Sequence, residues 1–134
     1  MRFSPSSKGR AGITSTSTLN FTTVAAADTT NPTLSSAVPV DGGSDIAVDA
    51  NIVLTFSEAI AAGTGNIVIY NASDSAVETI SVQSGQVTIT GNTMTINPSV
   101  TLANNTVHYV QIAAAAIDDL SGNSYAGISD TTTL

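Results

Sequence analysis

Along Asn51 to Phe56, NIVLTF, apolar side chains fall on Ile52, Leu54 and Phe56, and Val53 and Thr55 stand between them. A period of two places the first set on one face of a β-strand and the second on the other. Short runs of the same kind recur at Thr33 to Val38, Ile46 to Val48, Asn66 to Tyr70 and Glu78 to Val82, each bounded by turn-forming residues. In TVHYVQIAA, His108, Val110 and Ile112 alternate with Val107, Tyr109 and Gln111. The stretch IAAAAIDDL has helical propensity, but Asp118 and Asp119 run straight into SGN, so it reads as a strand end followed by a turn.

The segment QVTITGNTMTINP specifies a hairpin with its register. A two-residue Gly91-Asn92 loop sets Thr90 opposite Thr93, Ile89 opposite Met94 and Val87 opposite Ile96, with the apolar residues on one face and threonines on the other. Seven to nine short strands with turn signals between them predict an all-β protein, an immunoglobulin-like β-sandwich of two antiparallel sheets.

Composition sharpens this picture. A chain of 134 residues, 42% hydrophobic and 10% charged, fits one domain with a short extension. The three basic residues are Arg2, Lys8 and Arg10, so Ala11 to Leu134 carries ten carboxylates and no Lys or Arg. A net charge of −7 disfavours nucleic acid and anionic lipid as partners and favours divalent cations. With no cysteine, disulfides, thiolate nucleophiles and Cys-based zinc sites are excluded. No apolar stretch is long enough for a membrane span, and MRFSPSSKGRAG has no apolar region behind its basic residues, so it does not read as a secretory signal. Residues 1–10 are expected to form a mobile basic segment.

One stretch occurs twice. AGITSTSTL at Ala11 to Leu19 and AGISDTTTL at Ala126 to Leu134 agree at six of nine positions, and the other three exchange only Ser, Thr and Asp. They stand one domain length apart, as the last strands of successive repeats would. Residues 11–27 are therefore read as the last strand of a preceding repeat plus a linker, and 28–134 as a sandwich lacking the end of its final strand. The segment NFTT that follows Leu19 has no counterpart after Leu134, which leaves a core-facing gap where Phe21 corresponds. Leu19, Phe21 and Leu134 are the candidate polymer contacts. The alternative reading is a filament subunit that donates 11–23 head to tail.

Asp28 to Ile60, DTTNPTLSSAVPVDGGSDIAVDANIVLTFSEAI, resembles the opening of the bacterial Ig-like domains of S-layer proteins and large tandem-repeat surface adhesins. LANNTVHYVQI and IDDLSGNSY resemble that family's penultimate strand and its Asp-x-x-Gly-Asn turn. The resemblance implies a structural or adhesive module of an extracellular or cell-surface protein, whose partners are neighbouring copies in cis or head to tail in trans.

His108, the lone histidine, stands where the family usually has an aromatic residue making a backbone hydrogen bond, and no nucleophile accompanies it. The expected role is structural, and the chain is expected not to be an enzyme. Among the carboxylates, Asp28, Glu58, Asp118 and Asp119 come from a linker, a strand end and a late turn that can meet at one pole. Such a group of oxygens suits calcium, the candidate cofactor, although no contiguous calcium loop is present. The tyrosines and phenylalanines read as too spread out for a sugar platform; a carbohydrate-binding module, with a surface glycan as partner, remains a further alternative.

Overall fold

The computed structural model describes residues 21–23 and 26–134. The expectations for residues 1–10 and, within the extension read at 11–27, those for residues 11–20 (Leu19 among them) and 24–25 lie outside them. Nine strands occur among the described residues: β1 (Leu34–Val38), β2 (Ile52–Phe56), β3 (Ile60–Ala62), β4 (Asn66–Asn71), β5 (Ala76–Ser81), β6 (Val87–Thr90), β7 (Thr93–Ile96), β8 (His108–Ile112) and β9 (Ile117–Asp119). They form a four-stranded sheet in the order β1-β2-β7-β6, a three-stranded sheet β5-β4-β8 and a two-stranded β3-β9 ribbon, all antiparallel. This is the expected all-β, Ig-like sandwich.

Alternation builds its interior. Ile52, Leu54 and Phe56 are buried on β2, Ile67 and Ile69 on β4, Met94 and Ile96 on β7, and Val110 and Ile112 on β8. Facing one another across the two sheets, they make one core, each large side chain contributing about 1.5–3 kcal/mol through burial. Phe56 meets Tyr125 edge to face, with ring centroids 5.2 Å apart and planes at 78°. The β6–β7 hairpin has the register read from sequence, Thr90 on Thr93, Ile89 on Met94 and Val87 on Ile96.

Three readings are corrected. Ile46 to Val48 is not a strand; Asp41 to Ala50 folds on itself through Gly43 N–H to Val40 C=O and Ala50 N–H to Ala47 C=O, with Asp45 at φ 58°. Strand β3 went unread, and Ile117–Asp119 is a strand after a turn at Ala113 to Ala116 rather than part of a turn. The final run, Ala126 to Leu134, is not a continuous ladder. It exchanges backbone hydrogen bonds with β8 at Ile128 and Ile112, and returns only where Leu134 C=O accepts the Val110 N–H at 2.7 Å. Between these points Asp130 accepts the N–H groups of Thr132 and Thr133 and turns the chain.

Candidate functional site

Both poles of the sandwich carry features of interest, separated by the length of β2. At the pole beyond Phe56, three acids converge: Asp28 from the segment before β1, Glu58 two residues past β2, and Asp119 at the end of β9. One carboxylate oxygen from each lies within 4.8 Å of the others. Asp119 is buried, and its Oδ1 accepts the N–H groups of Ser121 and Asn123, both at 2.8 Å, while Oδ2 accepts the Asn123 side-chain amide at 2.8 Å. That amide also donates to the Asp28 carbonyl at 2.9 Å, which fixes the linker to the β9 turn. Asp28 Oδ1 in turn accepts the Thr30 N–H.

The electrostatics of the three differ. Desolvation pushes the Glu58 carboxyl above its ordinary value, and the charges of Asp28 and Asp119, with which it shares hydrogen bonds, push the same way. Asp119 goes the other way. Its burial alone would raise it, but the Asn123 side chain and the Asn123 and Ser121 N–H groups outweigh burial and hold it below the usual range. The cluster thus holds three acids at a spacing whose mutual repulsion a proton on Glu58 or a hard cation would relieve.

Asp118 does not join them. As its neighbour on a strand it points to the opposite side, where Oδ1 accepts the Ser124 hydroxyl at 2.6 Å. Of the four expected ligands, the fold brings together Asp28, Glu58 and Asp119, and it corrects Asp118 to a turn-bracing role.

The other pole is open, with a lining of mixed apolar and polar residues. A cleft of about 900 Å³ lies between the Pro39 to Ala50 loop, the Leu102 to Val107 loop and the start of β8. Its walls include Ile52, Ile69, Leu102, His108, Val110 and Leu134. Val40, Ile46 and Val107 stand on its rim at 64%, 43% and 71% exposure. His108 is half-buried, with Nδ1 3.0 Å from the Thr106 carbonyl, a contact that requires its proton on Nδ1. The bond is local, to a carbonyl two residues earlier in the chain. Leu134 packs against the core from this side, whereas Phe21 is 82% exposed.

Two groupings went unread in the sequence. Glu78 on β5 accepts Gln86 Nε2 at 2.7 Å, the Ser99 hydroxyl at 2.6 Å and the Ser99 N–H at 3.0 Å, latching β5 to the segment after β7. Tyr70 and Tyr109, thought too far apart, are cross-strand partners on β4 and β8, stacked at 5.0 Å and 12°. The Tyr109 hydroxyl donates to Asp74 at 2.9 Å.

A scan against family models matches residues 28–133 to the family described as "Bacterial Ig-like domain". The chain belongs to that family, and domains of this kind are modules of bacterial surface proteins. A comparison with curated proteins finds no match. No described helix is long and apolar enough to cross a membrane.

Proposed function

We propose that this chain is a non-enzymatic structural module of an extracellular bacterial surface protein, acting as a tandem-repeat spacer whose acidic pole takes calcium. The observation that supports the spacer reading is the placement of its two ends. Asp28 is bound to the β9 turn at the acidic pole, and Leu134 lies beside Val110 at the wall of the cleft, at the other end of the strands. A domain entered at one pole and left at the other adds its full length to an array. Calcium suits the first pole because Asp28 belongs to the linker: a cation held by Asp28, Glu58 and Asp119 would stiffen the junction with whatever precedes it.

Small-angle scattering on the single chain and on a fusion of two copies tests the reading. The spacer predicts a maximum dimension for the fusion close to twice that of one copy, and closer still in millimolar calcium than in chelator. A fusion hardly longer than one copy would overturn it.

A further inference from the structure

We propose that the outer face of the β5-β4-β8 sheet carries a subsite for a neutral saccharide, built from Tyr70, Asp74 and the small residues of β5 beside them. The spacer reading neither requires this subsite nor depends on it. Alternation places the side chains. Ile67 and Ile69 on β4, Ile80 on β5, and Val110 and Ile112 on β8 are buried, so Val68, Tyr70, Thr79, Tyr109 and Gln111 stand on the outward side. Tyr70 and Tyr109 are direct partners there, with ring centroids 5.0 Å apart and planes 12° from parallel.

Each ring of such a pair turns one face to the other, and nothing fits between them. The second face of Tyr70 turns toward β5, where a register shift makes Ala76 its partner. The neighbouring Val77 packs on the core, which leaves Ala76 exposed on the Tyr70 side. A methyl group covers little of a phenol ring, and the next outward residue on β5, Thr79, is also small and exposed. One flat, apolar ring face is therefore left open.

A fixed acceptor accompanies it. The turn between β4 and β5 is bound from within: Asn71 Oδ1 accepts the N–H groups of Ser73 and Ser75 at 2.9 and 3.1 Å, and the Asp74 N–H donates to the Asn71 carbonyl at 3.0 Å. Asp74 is held at φ 59°, in the left-handed region that Asp tolerates. Its Oδ1 accepts the Tyr109 hydroxyl at 2.9 Å, so the carboxylate sits at the hydroxyl end of the stacked pair. Oδ2 has no hydrogen bond among the described residues. A pyranose matches this arrangement: its C–H face covers the phenol, and its hydroxyls donate to the carboxylate.

Charge and shape choose among ligands. Ala11 to Leu134 carries ten carboxylates and no Lys or Arg, so uronates and other anionic glycans are repelled. An ammonium group would meet one ring face and no cage, because the parallel rings close the space between them. An uncharged sugar ring fits both limits.

The test is an NMR titration of the full chain with neutral hexasaccharides of glucose, mannose, galactose and N-acetylglucosamine in turn, with oligogalacturonate and tetramethylammonium as comparisons. At least one neutral hexasaccharide is expected to shift the Tyr70 ring and Asp74 amide signals saturably. Tyr70→Thr and Asp74→Ala should each weaken that binding about tenfold. Ala76→Phe is the sharper variant: it lays a ring over the free face of Tyr70, touches no core residue, and should abolish binding without lowering the melting temperature. A tyrosine pair that serves packing alone would bind none of the hexasaccharides, and that result overturns the subsite. So would shifts that survive Ala76→Phe, a preference for oligogalacturonate, or the same shifts produced by tetramethylammonium. None of these outcomes bears on the length of the two-copy fusion, which tests the spacer separately.

Discussion

The side-chain amide of Asn123 donates to the carbonyl of Asp28 at 2.9 Å, across 95 positions of sequence, while holding Asp119 with the same nitrogen. This one group joins the linker to the β9 turn and presses their acids against Glu58. Asn123→Ala should therefore loosen the linker and lower stability by about 1–2 kcal/mol, measured by denaturant unfolding. An unchanged midpoint would mean that the linker is held by something else.

Glu58 predicts a pH dependence with a definite sign. Its carboxyl is raised above the ordinary 4.5, so in chelator its ionisation costs stability that is retained at low pH and lost as pH rises through the raised value. Glu58→Gln should raise the melting temperature at pH 7 in chelator and have little effect below about pH 4. In calcium the order should reverse. A cation bound only by the folded state adds about 2.7 kcal/mol at one hundred times its dissociation constant, and Glu58→Gln should lose most of that gain. Superimposed melts of the parent in millimolar calcium and in chelator would remove the metal from the account.

Glu78 behaves in the opposite sense. Partial burial alone would raise its carboxyl, but the Ser99 hydroxyl, the Gln86 amide and the Ser99 and Val100 N–H groups hold it below 4.5. Its contribution is present above 4.5 and fades as pH falls through the lowered value. Glu78→Ala should cost about 1–2 kcal/mol at pH 7 and less at pH 3 in urea titrations. Equal loss at both pH values would separate the latch from its charge.

Gly127→Ala should be among the most damaging small substitutions, with a loss of about 2 kcal/mol or more, because a side chain at φ +86° is strained and its Cβ would strike the Ile112 carbonyl. Gly91→Ala, at φ +59° with open space around it, should cost less. Equal losses in thermal melts would contradict the close approach of this segment to β8.

Much of the fold was legible because it is written in period two. Ile52, Leu54 and Phe56 are buried as the alternation requires, and Gly91-Asn92 fixed the register of the hairpin. Ile60–Ala62 and Ile117–Asp119 escaped because three residues carry no period; their pairing is tertiary. The acidic pole was half legible. Composition put the acids near loops, but only the β9 strand decides that Asp119 turns toward Glu58 while Asp118 turns away to Ser124. The Tyr70–Tyr109 stack joins two strands and the Glu78 latch joins a strand to the segments before β6 and after β7, which no local pattern reports.

The placement of Asp28 at one pole and Leu134 at the other is the claim on which the account depends, and small-angle scattering on a fusion of two copies tests it most directly. The maximum dimension of the fusion should approach twice that of one copy, whereas a fusion hardly longer than one copy would contradict the account.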